Sequence, residues 1–253
     1  MIWPRFKRYT RRALGVLLLL LTGCGDRDEP LPAPAAIPGR TLAVVALGDS
    51  LTEGIADTPG MGGYPRRLEQ LLDGLKPGTQ VINLGKSGWT SAQLVKRQLP
   101  TAVSIMPQIA LVWIGSNDLW RYYRAEQEEQ DLKNFTANID TILGTLHETG
   151  AHVFIALLDD QSQRPVARTT EIEPYTQADR DRMARRAATY NRAIAAAAEH
   201  YGAATVDFYH TTIFTDPSTL AGDGNHPTAH GYDLIAQMWF ESIRKNPMPD
   251  VFR

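Results

Sequence analysis

Apolar residues along this chain fall into two alternating patterns. Short unbroken runs rich in β-branched residues occur at Thr41–Leu47 (TLAVVAL), Gln80–Leu84 (QVINL), Ile109–Ile114 (IALVWI), His152–Leu158 (HVFIALL) and Ala204–Phe208 (ATVDF). Runs of this kind predict strands buried on both faces, as in a parallel sheet. Between them the apolar positions change to helical spacing: Tyr64, Leu68, Leu71, Leu72 and Leu75 form one stripe, and Phe135, Ile139, Ile142, Leu143 and Leu146 another, with Gly150 as a stop signal. Ser91–Leu99 reads as a helix ended by Pro100, Asp179–Tyr201 as a long Ala- and Arg-rich helix, and Tyr232, Ile235, Ala236, Trp239, Phe240 and Ile243 as the buried face of a last one. Strands alternating with helices predict βαβ units around a mostly parallel five-stranded sheet, a three-layer α/β/α sandwich. One domain over residues 41–246 holds the whole pattern, leaving 247–253 as a C-terminal tail.

The segment before the first strand follows different rules. Arg5, Lys7, Arg8, Arg11 and Arg12 precede the Leu-rich run Ala13–Leu21, and no acidic residue occurs before Asp26. A basic stretch followed by a short apolar one is the pattern of an export signal, and the run is too short to span ~30 Å of hydrocarbon. Leu21-Thr22-Gly23-Cys24 resembles a bacterial lipobox. That resemblance implies removal of residues 1–23 as a lipoprotein signal peptide and attachment of lipid to Cys24, the only cysteine in the chain. Two or three acyl chains, at ~0.8 kcal/mol per buried CH₂, would hold the protein to a membrane. Gly25, where an Asp would signal inner-membrane retention, favours the outer membrane of the envelope, facing the periplasm. Residues 24–40 contain Pro30, Pro32, Pro34 and Pro38 and read as an extended, lipidated tether.

Composition sharpens this division. Five of the 26 basic residues and none of the 28 acidic ones lie in residues 1–23, so the formal net charge of −2 becomes −7 over the remaining 230 residues. A mildly acidic body has no electrostatic footprint for nucleic acid. A hydrophobic content of 43% excludes a disordered chain, and one cysteine excludes an internal disulfide or a Cys-rich zinc site.

Candidate chemistry follows the strands, where open α/β sheets place their ligands. Gly48-Asp49-Ser50-Leu51 follows the first strand, Gly85-Lys86-Ser87-Gly88-Trp89-Thr90 the second, and Gly115-Ser116-Asn117-Asp118 the third, while Asp223-Gly224-Asn225-His226 lies beyond the fifth. A serine hydroxyl becomes a nucleophile when a base removes its proton, and an imidazole held by a carboxylate suits that task. No G-x-S-x-G and no H-E-x-x-H motif is present.

These four blocks, in this order, resemble those of the SGNH (GDSL-type) hydrolases. The resemblance implies a flavodoxin-like fold and ester hydrolysis through an acyl-enzyme on Ser50. It implies Asp223 and His226 as acid and base, and an oxyanion hole made by the amides of Ser50 and Gly88 with the Asn117 side chain. Gly85 is the alternative to Gly88. No metal or organic cofactor is required. The expected partners are a small-molecule, lipid or glycan ester and the membrane reached by the lipid on Cys24, with the protein acting as a monomer. Acyl esters such as lysophospholipids, thioesters and aryl esters are the first substrate reading, acetylated carbohydrate the second, and a non-catalytic glycan-binding lipoprotein the third.

Other residues carry weaker signals. His226 and His230 with Asp223 form a less favoured metal site, since no further ligand cluster accompanies them. Asp49, Asp118 and Asp207 read as loop buttresses. Trp89, Trp120, Tyr122 and Tyr123 either wall a substrate pocket or pack the core. The polar stretch 159–178 reads equally well as a lid or as a plain surface loop.

Overall fold

A computed structural model describes residues 29–32, 41–58, 60–121, 127–169 and 175–252. The proposed signal peptide, Cys24, Tyr122 and Tyr123 lie outside the described residues.

Five strands, β1 (Leu42–Gly48), β2 (Thr79–Asn83), β3 (Ile109–Trp113), β4 (His152–Leu157) and β5 (Ala204–Asp207), form one sheet in the order β2-β1-β3-β4-β5. Every pairing is parallel, so the sheet is wholly rather than mostly so. β1 is buried along its whole length, as its unbroken apolar run requires of a central strand covered on both faces.

The helices supply that cover. On one face α2 (Gly63–Asp73) packs against α9 (Ala229–Lys245), with Tyr64, Leu68 and Leu72 meeting the stripe Tyr232, Ile235, Trp239 and Ile243. On the other, α4 (Leu99–Ile105), α6 (Glu128–Glu148) and α8 (Gln177–Tyr201) lie side by side, and Phe135 of α6 stacks on Tyr190 of α8 with centroids 4.2 Å apart. The result is the three-layer sandwich with flavodoxin-like strand order.

Two boundaries differ from the expected ones. The helix at Ser91 does not stop before Pro100. A short α3 (Ser91–Gln93) passes into a π-helical stretch, Leu94–Gln98, and then into α4, so Pro100 sits in the first turn of a new helical segment. There its missing N–H costs little, because the first turn of a helix lacks intrahelical acceptors. The C-terminal tail is not loose either. Met248 and Val251 are buried in the core, and Lys76 Nζ donates to the Val251 carbonyl.

The chain reverses direction across the sheet between β1 and β3, since β2 lies on one side of β1 and β3 on the other. At such a switch point the loops leaving the two strands part and open a crevice at their carboxyl ends. The loops after β1 and β3 carry Ser50 and Asn117.

Candidate active site

β1 ends at Gly48 and the chain turns at once into α1 (Ser50–Glu53), a single helical turn capped by Asp49. The Asp49 carboxylate accepts from the Leu51 N–H at 3.1 Å, which leaves the Ser50 amide at the helix start without an intrahelical acceptor. The turn is propped from below: Tyr64 Oη lies 3.2 Å from Thr52 Oγ1, and the Tyr232 hydroxyl donates to the Ile55 carbonyl at 2.8 Å. Gln98 grips the end of β1 through both backbone groups of Gly48, at 2.9 and 2.8 Å. Ser50 therefore stands on a fixed platform.

His226 reaches it from the far end of the chain. Its Nε2 is 2.9 Å from Ser50 Oγ, and its Nδ1 is 2.6 Å from Asp223 Oδ2. The second carboxylate oxygen of Asp223 accepts from the Asn225 and His226 amides at 2.9 and 3.0 Å. Partial burial pushes the Asp223 carboxyl up, but those amides and the imidazole outweigh it and hold it below its ordinary value. An ionised Asp223 accepting the Nδ1 proton leaves Nε2 free to accept from Ser50.

A second D-x-x-H run shows how much the surroundings matter. His210 Nδ1 lies 2.7 Å from Asp207 Oδ2, much as in the Asp223–His226 pair, but the His210 side chain is 75% exposed against 15% for His226. His226 meets a serine, whereas among the described residues the His210 side chain hydrogen-bonds to Asp207 and sits edge-on to the Tyr209 ring.

The two candidate glycines separate cleanly. The Gly85 amide donates to Asn83 Oδ1 at 2.9 Å, and a Cβ there would lie 2.4 Å from the Glu53 nitrogen. Gly85 is a packing position. Gly88 has φ +76°, and a Cβ there would meet open space. Among the described residues nothing accepts from its amide.

Asn117, in the second position of α5 (Ser116–Arg121), points its Nδ2 at the Trp89 carbonyl (2.9 Å) and Asp49 Oδ2 (3.4 Å). Asp118 is a buttress: it accepts from the Ser91 amide at 2.9 Å and its hydroxyl at 2.6 Å, tying α5 to α3. Trp89 is buried and faces the Arg97 guanidinium at 4.8 Å, while Trp120 packs edge-on against Tyr175. His230 is exposed on α9.

The stretch after β4 holds the part of the site that sequence reasoning missed. Of the polar stretch 159–178, residues 170–174 lie outside the described residues, and 159–169 are anchored to the body of the domain rather than free. Arg164 is 2% exposed and makes a two-pronged ion pair with buried Asp159, at 2.6 and 2.7 Å. Its remaining amino group donates to Asn225 Oδ1 at 2.7 Å, the neighbour of His226, and its guanidinium lies 4.4 Å from the Phe214 ring centroid. The Val166 amide donates to the Gly224 carbonyl at 3.1 Å. A buried salt bridge 61 residues away in sequence thus clamps the Asp223–His226 loop. Its only sequence signal was an Asp and an Arg five apart in a polar stretch, too common to stand out.

Asp49 is the counterpart on the other side. Burial is the main cause that raises its carboxyl to about 7, against the lowering effects of the Leu51 amide and Arg164, with Asp118 and Asp159 adding repulsion.

The chain matches the GDSL-like Lipase/Acylhydrolase family over residues 46–234 and belongs to it. It is an ester hydrolase of that SGNH class. It is 26% identical over 225 residues to an acetylxylan esterase of Geobacillus stearothermophilus, covering 81% of this chain and 95% of that one. The solved fold of an acetyl xylan esterase variant from the same organism superposes with a TM-score of 0.61 at 23% identity, over 83% of this chain and 98% of the other. The psychrotrophic esterase EstA of Pseudoalteromonas sp., solved inhibited by monoethylphosphonate, superposes with the same score at 18% identity, over 81% and 97%.

Proposed function

We propose that the protein is a lipid-anchored serine esterase that removes small acyl groups, acetyl above all, from carbohydrate in the bacterial envelope. The observation that carries the chemistry is the continuous relay from Ser50 Oγ through His226 to Asp223, at 2.9 and 2.6 Å, beginning at the first residue of a helix.

In this reading His226 Nε2 takes the Ser50 proton as Oγ attacks the ester carbonyl. Asp223 keeps the imidazole in the required tautomer and stabilises its cationic form. The negative charge that develops on the carbonyl oxygen is met by the Ser50 and Gly88 amides and by Asn117 Nδ2. The hydrogen bond from Asn117 to Trp89 presets the side chain, and its second N–H, on the long 3.4 Å contact to Asp49, is the one that turns to the oxyanion. The C–O bond breaks as His226 gives the proton to the leaving alcohol. Water, deprotonated by the same histidine, then releases the acid from Ser50.

Two observations favour a sugar substrate over a long-chain lipid. An acetylxylan esterase is a relative over almost its whole length, and solved structures of its catalytic mutants replace a serine and a histidine. The rim beside Gly88 is hydrophilic, with Lys86, Ser87 and Glu53 joined at 2.6 to 3.0 Å. The envelope location rests on the leader and on Cys24.

A chain-length series of p-nitrophenyl esters, run beside acetylated xylan oligosaccharides, tests the proposal. An acetyl optimum with acetate released from the oligosaccharides is expected. An optimum at eight carbons or longer would return the assignment to lysophospholipids.

A further inference from the structure

Glu29–Pro32, which begin five positions after Cys24, are held against the domain. The Leu31 amide donates to the Arg97 carbonyl at 2.9 Å, the buried Thr101 hydroxyl donates to the Leu31 carbonyl, and Arg97 Nε donates to the Glu29 carbonyl at 3.2 Å. The Leu31 side chain packs against the hydrophobic core. Segment 29–32 is seated on the π-helical stretch Leu94–Gln98 and the first turn of α4.

That seat adjoins the site. Arg97, which holds Glu29 and Leu31, lies over the Trp89 ring, and the Trp89 carbonyl holds Asn117. Gln98, the next residue, grips Gly48 at the end of β1. π turns inside helices widen the backbone locally and recur at functional sites. Here the widened turn presents the Arg97 carbonyl to the N-terminal segment while Gln98 faces inward.

We propose that Glu29–Pro32 is a latch that holds the Gly88–Trp89 edge of the active site toward the bilayer carrying the lipid on Cys24. The proposal rests on the lipid anchor inferred above and deepens it. A free tether from Cys24 to Thr41 would reach about 50 Å as extended polyproline II. With the latch seated, only the four residues Gly25 to Asp28 separate the lipid-bearing Cys24 from Glu29, a span of at most about 17 Å over five steps. The enzyme then works on esters presented at the membrane surface, with its mouth turned toward it.

The test uses the full acylated chain in phospholipid vesicles that carry a headgroup-level quencher. Acylated Cys24 is closed to thiol reagents, so a single introduced cysteine takes the fluorophore. A label at S87C, on the Gly88 edge, should lose emission roughly twofold or more, and one at E199C, exposed on α8 at the opposite end of the strands, should be little affected. Leu31→Asp, which places a charge on the docked contact, should equalise the two positions. Equal quenching in the parent chain, or a difference that survives Leu31→Asp, would overturn the latch. Failure of the anchor is read separately: a chain that floats with vesicles no better than Cys24→Ser has no lipid attachment, and the membrane orientation falls with it. In that soluble chain, slowing of Leu31 amide exchange by roughly tenfold relative to Thr101→Val would keep the docking alone, and equal exchange would remove it as well.

Discussion

Two aspartates, one on each half of the site, have been pushed in opposite directions. Asp49 supports the nucleophile half. It is 1% exposed, caps the turn that starts at Ser50, and is raised to about 7 mainly by burial. Asp223 supports the acid–base half. It sits on an exposed loop, and the amides and imidazole around it outweigh its partial burial and lower it. The nucleophile half is built locally, from one strand end and one helical turn over a dense aromatic base that includes Trp113 and Phe208 stacked 4.1 Å apart. The acid–base half is an irregular loop made precise from outside, by a buried arginine that belongs to another segment. A site can thus join one half that is rigid by construction to another that is rigid by clamping. The two should fail differently.

The largest effect belongs to the junction between them. Ser50→Ala should lower kcat/KM on p-nitrophenyl acetate by about 10⁴-fold or more while leaving the melting temperature almost unchanged. Next comes the clamp. Arg164→Ala leaves Asp159 buried without its partner and should destabilise the protein by ~3–5 kcal/mol in a denaturant titration. Arg164→Lys should recover part of that, because a point charge can pair with Asp159 but lacks the planar fork that also reaches Asn225. Equal stability of all three proteins would show that the acid–base loop does not depend on the clamp. Asn117→Ala should cost about 10²–10³ in kcat, with KM and stability nearly constant, since it removes a donor that acts on developing charge. A rise in KM at constant kcat would place Asn117 in ground-state binding instead.

The smallest predicted effect, and the sharpest on the comparison, is the opposite pH dependence of the two aspartates. Asp49 binds its proton more tightly folded than unfolded, so its ionisation costs stability as pH rises from about 4 to about 7, and the cost is constant above that. Relative to Asp49→Asn, the wild type should lose ~1–3 kcal/mol across that window. Asp223 holds its proton more weakly folded than unfolded. Its contribution is complete above its ordinary value of 3.8 and fades as pH falls through the lower folded value. Relative to Asp223→Asn, the wild type should therefore lose stability only below about pH 4. The same slope in both pairs would remove the contrast.

Much of this was legible in the sequence, for physical reasons that differ by element. The five apolar runs marked the five strands; the inner three, β1, β3 and β4, are buried, while the edge strands β2 and β5 are only partly so. The serine, glycine and asparagine blocks each follow a strand directly, so placing the strand also placed the residue. Asp223 and His226 could be paired because they sit three residues apart and meet without help from tertiary structure. What could not be read depends on contacts distant in sequence. The grip of Arg164 on Asn225, the seat of Leu31 on Arg97 and the burial of Val251 leave no periodic trace. The helix running past Pro100 was missed because a proline usually marks an end, and the π turn that accommodates it has no signature of its own.

The proposed mechanism turns on His226 making Ser50 a nucleophile. Treating the protein with a fluorophosphonate probe and mapping the adduct by peptide mass spectrometry tests it most directly. One stoichiometric adduct is expected, on Ser50, abolished in Ser50→Ala and slowed by about three orders of magnitude or more in His226→Ala. An adduct on another residue, or labelling of Ser50 at an unchanged rate without His226, would contradict it.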